Sequence, residues 1–217
     1  MATQMADPTT VYDKKSGKGI RDGVVSELTA FFGVKPGHAA ELKAAVERFA
    51  DALRTIDPNA TQRTGLRDSR HVLFDNDTRL LWTTTFETDW DPYLDDALMI
   101  VGVDRFIDWM QHTTEAELLG TWLRAAGGAD ALRQAQAQAL DGSGSTPPPG
   151  SSALKRIIQS VQLPGTAYFS ALATEMIPEI RKAARVEQAF QQVLDAPNAA
   201  EALQHPALAP LLDEAAD

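Results

Sequence analysis

The sequence predicts an α+β fold with the element order strand, helix, strand, strand, helix, strand. Two segments rich in β-branched and aromatic residues, 24–34 and 79–86, have the composition of strands. Between them, residues 42–56 carry apolar side chains at the three- and four-residue spacing of an amphipathic helix. The chain has 217 residues, which is enough for one domain of ordinary size with a hydrophobic core.

The first half of the chain supplies three predicted strands and a series of helices. The predicted strands are 24–34, 65–74 and 79–86, and the predicted helices are 42–56, 91–101 and 103–112. Asp57-Pro58-Asn59 ends the first helix, because proline cannot continue the helical hydrogen bonding. The turn-forming run 75–78 joins the second and third strands into a hairpin. Asp91-Pro92 has the pattern of a helix start, and Gly102 divides the helix that follows.

The second half of the chain contains the last predicted strand and a long final helix. The strand is 166–172, and the helix follows from Ile177. We predict one domain over residues 24–196, with a flexible arm at 1–23, a helical insertion at 113–140, a disordered linker at 141–152 and a tail at 197–217. The linker is rich in Gly, Ser and Pro and has no apolar surface to bury.

This order predicts a ferredoxin-like βαββαβ unit with an antiparallel sheet, a helical insertion and a C-terminal helix. Helices cover one face of such a sheet, and the other face would form a large exposed apolar patch unless something covered it. We therefore expect a homodimer packed sheet to sheet, or a higher homo-oligomer. Alternatively, the helical insertion covers this second face of the sheet in place of another subunit.

Composition excludes several classes of function. The chain has no cysteine, which removes disulfides, thiolate metal sites and cysteine nucleophiles. Its formal net charge of −10 argues against binding to nucleic acid. We find no apolar run long enough for a membrane span and no signal-peptide pattern at the N-terminus, so we predict a cytoplasmic protein without membrane partners. Nucleotide-binding glycine loops and hydrolase motifs are also absent from the sequence.

The strand 65–74 carries the most polar stretch of the predicted sheet. Alternation places Arg67, Ser69 and His71 on one face of this strand, and Asp68 and Arg70 on the other. Ionisable groups on a buried sheet face are costly unless they are paired, so we predict a polar catalytic pocket here. His71 would be a general base, while Asp68 and Arg70 would pair with each other or hold a substrate carboxylate. The alternative is a solvated start of an edge strand.

Further pocket residues are predicted on the neighbouring strands. Trp82, Thr84 and Phe86 share one face of the third strand, and Tyr168 lies on the predicted fourth strand. We predict that Thr84, Phe86 and Tyr168 line a substrate pocket on the sheet face and that this pocket binds a small-molecule ligand. Alternatively, Thr84 is present only because threonine favours strands. The Tyr168 hydroxyl could likewise reach water at the rim of the sheet without binding a ligand.

An acidic cluster begins the helix after the third strand. It consists of Asp89, Asp91, Asp95 and Asp96. Carboxylates favour hard cations, but the spacing is not that of a calcium loop. Acidic residues in the first turn of a helix are also stabilised by the helix dipole, and we prefer that explanation and predict no metal site.

The element order over residues 24–112 and 160–195 resembles the dimeric α+β barrel superfamily. That superfamily includes small monooxygenases, haem-degrading monooxygenases, and domains of chlorite dismutases and dye-decolourising peroxidases. The aromatic strand 79–87 followed by the helix that ends at His112 is similar to the haem-degrading enzymes, in which such a helix carries the axial histidine. The resemblance implies that His112 and Trp82 hold haem. A histidine that caps a helix C-terminus is the alternative.

A second local resemblance concerns the segment before the first strand. Gly19-Ile20-Arg21-Asp22-Gly23 is similar to the Gly-x-x-Asp-Gly signature of dye-decolourising peroxidases. The resemblance implies that Asp22 is a distal acid–base group. The segment departs from the family in position, since it precedes the first strand, and no companion arginine and histidine match.

Two functional hypotheses follow from these patterns. The first is an oxidative enzyme, monooxygenase- or peroxidase-like, that acts on a small lipophilic or aromatic molecule with haem or without a cofactor. The second is a non-catalytic oligomeric binding or accessory protein.

Overall fold

A computed structural model describes residues 17–141 and 147–215 of the chain, which divides after Thr174 into two compact units. The strands are β1 (Arg21–Asp22), β2 (Val25–Gly33), β3 (Leu66–Phe74) and β4 (Arg79–Phe86). The helices of the first unit are α1 (Ala39–Thr55), α2 (Pro58–Arg63), α3 (Trp90–Val101), α4 (Val103–Met110), α5 (Ala116–Ala125), α6 (Ala129–Asp141) and α7 (Ser151–Val161). The second unit contains α8 (Ile177–Leu194), α9 (Ala200–Leu203), a 3-10 turn (Pro206–Leu208) and α10 (Ala209–Ala215).

The α+β class and the antiparallel sheet are confirmed. The sheet has four strands in the order β1-β2-β4-β3, and all neighbours are antiparallel. Strands β2, β3 and β4 follow the predicted bounds closely. The tight turn between β3 and β4 is built by Asp75, Asn76 and Asp77, whose φ angles of 55°, 53° and 61° lie in the left-handed region. Aspartate and asparagine tolerate that region better than other side chains do.

The predicted fourth strand at 166–172 is wrong. Among the described residues of 162–172, backbone-to-backbone pairing with the strands is confined to Gln162 and Leu163: Gln162 forms a single bridge with Ala30, and the Leu163 N–H donates to the Thr29 carbonyl at 2.8 Å. Pro164 follows and has no N–H to continue the ladder, so the chain leaves the sheet there. The place beside β2 is taken instead by β1, which lies inside the segment predicted as a flexible arm.

The short strand β1 is joined to β2 by a tight hairpin. Arg21 pairs with Ser26, and Asp22 pairs with Val25. Gly23 in the turn has a φ of 58°, a value that glycine adopts without strain. The Asp-Gly dipeptide before a strand is a hairpin signal that the sequence analysis overlooked. Residues 1–16 of the predicted arm lie outside the described residues.

Helix α7 is a second element that the sequence analysis missed. Its N-terminal residues Ser151 and Ser152 belong to the predicted linker, of which residues 142–146 lie outside the described part. The helix buries Leu154, Ile157 and Ile158, whose spacing is helical. The helical spacing of these apolar residues was the signal for α7, and the Gly-, Ser- and Pro-rich composition of the preceding linker drew attention away from it. The predicted break at Gly102 does separate α3 from α4, and the glycines at 127–128 divide the helical insertion into α5 and α6.

The hydrophobic core lies on one face of the sheet, which we call the inner face. Strands β2 and β4 contribute Leu28, Ala30, Phe32, Leu80, Trp82 and Phe86 to it. Helices α1 and α4 pack against this face, with the ring of Phe32 edge-on to Trp109 at 5.1 Å. The opposite face, the outer face, is only half-buried. This difference decides where a ligand has access.

Candidate functional site

The sheet separates the predicted site residues into two groups. His71, Trp82, Thr84 and Phe86 point to the inner face, where they meet the helices. Asp68 and Arg70 point to the outer face, as the alternation along β3 predicted. Tyr168 borders the same outer side although it is not on a strand. The single pocket expected from the sequence is therefore divided: Asp68, Arg70 and Tyr168 border an open cleft, whereas the side chains of His71, Trp82, Thr84 and Phe86 point into the core.

The cleft on the outer face is formed by two rows of paired residues. The first row is Glu27, Thr85 and Asp68, and the second is Thr29, Thr83 and Arg70. Residues 163–168 form a wall beside these rows and enclose about 350 Å³. Three threonine hydroxyls, two carboxylates and one guanidinium thus face one cleft. We call it the outer-face cleft.

Glu27 is a cleft residue that the sequence analysis missed. Its side chain is largely buried, and its oxygens accept hydrogen bonds from the Ile20 N–H and the Thr29 hydroxyl, both at 3.0 Å. The available signal was that Glu27 is the single charged residue of β2, because a buried carboxylate requires such partners. The β1–β2 hairpin supplies one of them.

Asp68 and Arg70 do not pair with each other. The Asp68 carboxylate accepts a hydrogen bond from the Thr85 hydroxyl across the strands. Among the described residues, Arg70 makes no ion pair or hydrogen bond, and its side chain is exposed. The guanidinium therefore keeps its donors available in the cleft.

Asp22 and Tyr168 come together at one end of the outer-face cleft. The Asp22 carboxylate accepts a hydrogen bond from the Ser170 N–H at 2.9 Å. The Tyr168 hydroxyl bonds Ser170, and its pKa is raised by partial burial and by the nearby charges of Asp68 and Asp22. Asp22 thus anchors the segment that forms the cleft wall, a structural position for the residue that the peroxidase resemblance singled out.

Arg67 and Glu87 form a buried ion pair next to this wall. Arg67 sits at a β-bulge in β3 and bonds the Glu87 carboxylate at 2.9 Å and the Leu172 carbonyl at 2.9 Å. The bulge inserts one extra residue into the strand, so Arg67 is aimed at partners that a regular strand would not reach. Through its bond to the Leu172 carbonyl, Arg67 fixes the end of the segment 163–172 to the sheet.

The inner face is filled by hydrogen-bonded and stacked side chains. The Thr84 hydroxyl donates to the Asp68 carbonyl at 2.9 Å and contacts the Tyr93 hydroxyl at 2.7 Å. The rings of Phe86 and Tyr93 stack with centroids 4.0 Å apart. Burial raises the pKa of Tyr93. The cavity that Trp82 and Tyr93 line has about 10 Å³, room for no more than one water molecule.

His71 is enclosed by aromatic rings. It stacks on Trp82 with centroids 6.1 Å apart and meets Phe49 and Trp109 edge-on at 5.3 Å. Burial lowers the pKa of His71 to about 4, so the ring is neutral at pH 7. Its Nε2 atom is buried without a hydrogen-bond partner within the described ranges. The ring has no access to the outer-face cleft, where a general base would meet a ligand.

His112 follows α4 and faces a second histidine. Its Nδ1 atom lies 3.1 Å from Nδ1 of His38, which precedes α1. Burial and the proximity of His38 lower the pKa of His112. Sequence reasoning named His112 and passed over His38, because residues 74 positions apart show no common pattern.

The residues predicted to hold haem do not fit a porphyrin as they are arranged. Trp82 borders a cavity of about 10 Å³, and His112 directs one ring nitrogen at His38. The two residues also lie in different places, Trp82 inside the core and His112 after α4. Haem binding by these residues stays a prediction.

The acidic cluster at the start of α3 holds a buried lysine. Lys155 of α7 is 2% exposed, and its Nζ atom lies 2.7 Å from Asp95 and 2.9 Å from Asp91. Ser151 donates a hydrogen bond to the other oxygen of Asp95. Asp89 pairs with Arg21 at 2.9 Å. Long-range ion pairs therefore explain most of the cluster, in addition to the helix dipole.

Comparison with known proteins adds no assignment. The chain matches no protein-family profile, no curated protein and no solved structure. Within the described ranges, no group of three or more His, Asp or Glu side chains is arranged to hold a metal ion. No described helix combines the length and apolar character needed to cross a membrane.

Proposed function

We propose that this protein binds a small polar carboxylate in the outer-face cleft. The observation that carries the proposal is the balance of hydrogen-bonding capacity there. The carboxylates of Glu27 and Asp68 already accept bonds from protein donors, whereas Arg70 donates none to the described residues. An arginine fork with free donors matches a carboxylate in bidentate geometry.

The remaining lining favours a ligand with further polar groups. The Thr83 hydroxyl and the Tyr168 ring border the same space as Arg70, and Asp68 lies in the next row. A hydroxyl or amino group beside the ligand carboxylate would meet these acceptors. A volume of about 350 Å³ lies at the small end of ligand sites. This polar lining supports a hydroxy or amino acid better than a lipophilic molecule.

The cleft supports binding, and so it favours the hypothesis of a binding or accessory protein. The oxidative activity inferred from the family resemblance stays a prediction. Its proposed base, His71, lies on the opposite face of the sheet from Arg70. Catalysis in the cleft would have to use Asp68, Glu27 or Tyr168 instead.

Replacing Arg70 by glutamine is expected to weaken ligand binding at least tenfold, because the bidentate donor is lost. The probe is malate, titrated into ¹⁵N-labelled protein with amide shifts followed by NMR. Amide shifts should change at Thr29, Thr83 and Thr85. Arg79→Gln is the matched control, since Arg79 lies on the same face but pairs with Asp75 at 3.0 Å. Malamide, which has no carboxylate, should not bind; equal binding of malate by Arg70→Gln would disprove the proposal.

We also propose that the sheet is a ferredoxin-like variant that dimerises through its outer face. The order β2-β4-β3 with α1 and α3 follows that fold, and β1 takes the place of the last strand. Beyond the cleft, the outer face becomes apolar, with Phe31, Leu81, Val72 and Phe74 at its other end. Val72 and Phe74 are 38% and 37% exposed, which favours a covering partner.

Sedimentation velocity at about 10 μM tests this association. The wild-type protein should sediment as a dimer, and Phe74→Glu should sediment as a monomer because a charge would enter the apolar contact. Leu140→Glu is the control, since Leu140 is an exposed apolar residue of α6 and lies outside the sheet. A monomeric wild type would rule out the dimer. A dimer that persists in Phe74→Glu would place the contact elsewhere.

A further inference from the structure

The charged side chains that line the outer-face cleft do not balance each other. Asp68 and Glu27 supply two carboxylates, and Arg70 supplies one guanidinium. The other described residues of the lining are uncharged, so the cleft has an excess of negative charge. A ligand whose charged groups are all carboxylates would add to this excess, and like charges at close range repel each other. A ligand that also carries a positive group would offset it.

Asp68 is the carboxylate of the cleft that a ligand can reach. Glu27 is largely buried, and its two oxygens accept hydrogen bonds from the Ile20 N–H and the Thr29 hydroxyl, both at 3.0 Å. Asp68 is exposed, and its Oδ2 atom accepts a hydrogen bond from the Thr85 hydroxyl. Its Oδ1 atom accepts none from the described residues. A carboxylate oxygen with free lone pairs is the acceptor that an ammonium group requires.

Arg70 and Asp68 are placed to hold opposite charges of one small molecule. They are two residues apart on β3 and point to the same face, so their Cα atoms lie roughly 6.6 Å apart. Both side chains are exposed, and they do not pair with each other. An α-amino acid carries its ammonium on the carbon next to its carboxylate. This short separation allows one molecule to meet both side chains at once.

We propose that the ligand of the outer-face cleft is an α-amino acid, a step that rests on the carboxylate site of the proposed function. The ligand carboxylate accepts hydrogen bonds from the Arg70 guanidinium, and the ligand ammonium donates to Oδ1 of Asp68. A hydroxy acid of the same skeleton would offer Asp68 a neutral hydroxyl instead. The attraction between opposite charges is then absent, so the cleft should distinguish the two ligands.

L-Aspartate and L-malate test this preference, because they differ only by an ammonium in place of a hydroxyl. Each is titrated into ¹⁵N-labelled protein, with amide shifts followed by NMR. The wild-type protein should bind aspartate about tenfold more tightly than malate. Asp68→Asn should bring the ratio of the two affinities to about one, because asparagine keeps the shape of the side chain and loses its charge. Arg70→Gln should weaken the binding of both ligands, since both carry the carboxylate.

Asp77→Asn is the matched control, because it removes the same charge from an exposed turn residue that does not line the cleft. It should keep the wild-type ratio. Wild-type protein that binds malate as tightly as aspartate would overturn the amino-acid ligand and leave the carboxylate site intact. That comparison needs no variant to fold. A wild-type ratio that persists in Asp68→Asn would also overturn it. If neither ligand binds, the carboxylate site itself is contradicted.

Discussion

Replacing Asp95 by asparagine is expected to lower the free energy of unfolding by about 3 kcal/mol. The reason is that Lys155 is 2% exposed and would keep its charge with a weaker set of partners. Removing one partner of a buried ion pair typically costs about 3–5 kcal/mol. The lower end applies because Asp91, 2.9 Å from the ammonium, remains. Urea denaturation followed by circular dichroism measures the change.

A surface pair and a double variant make this experiment specific. Asp104→Asn breaks the exposed pair with Arg133 and should lower the free energy of unfolding far less than Asp95→Asn does, because solvent screens that pair. Lys155→Met combined with Asp95→Asn should recover a large part of the loss, since the uncompensated buried charge is then gone. If Asp95→Asn lowers the free energy of unfolding no more than Asp104→Asn does, the ion pairs of Lys155 with Asp95 and Asp91 do not stabilise the packing of α3 against α7.

Lowering the pH from 6.5 to 4 is expected to destabilise the protein by roughly 3 kcal/mol through His71 alone. Burial lowers the pKa of His71 to about 4, whereas an unfolded histidine titrates near 6.5. Between these values the unfolded chain binds the extra proton and the folded chain does not. The contribution of His71 to the free energy of unfolding is therefore fully present above pH 6.5, declines as the pH falls, and is lost below about pH 4.

The variant His71→Phe isolates this contribution. Phenylalanine keeps an aromatic ring against Trp82, Phe49 and Trp109 but cannot be protonated. Its free energy of unfolding should change less with pH than that of wild type, by about the amount assigned to His71. His205→Gln, at an exposed histidine, should keep the wild-type pH dependence. Parallel pH profiles for wild type and His71→Phe would show that His71 is not buried as a neutral ring.

Much of the secondary structure could be predicted because its signals are local. Alternation along β3 correctly placed His71 and Arg70 on opposite faces, and the turn at 75–78 set the pairing of β3 with β4. Where the prediction failed, a local signal was misjudged. Tyr168 and its neighbours have strand composition, but Pro164 ends the contact with β2 before they can pair.

The candidate site was only partly predictable. Asp68, Arg70 and Tyr168 were named and do border one cleft, but Glu27 was missed. Trp82, Thr84 and Phe86 were grouped with them because their strand neighbours the polar one. The sequence shows which residues share a strand face, and it does not show which face the helices cover. That choice separates a core residue from a ligand-binding one.

By itself, the sequence determined strands β2, β3 and β4, helices α1, α3 and α4, the faces of those strands and the absence of cysteine chemistry. Periodicity carries that information, since it depends on neighbours one to four residues apart. Only the tertiary structure decided that Lys155 reaches Asp95 and that His38 meets His112. These contacts join residues 60 or more positions apart in the two side-chain pairs. Such pairings arise from the packing of whole elements around a core, and no local pattern records them.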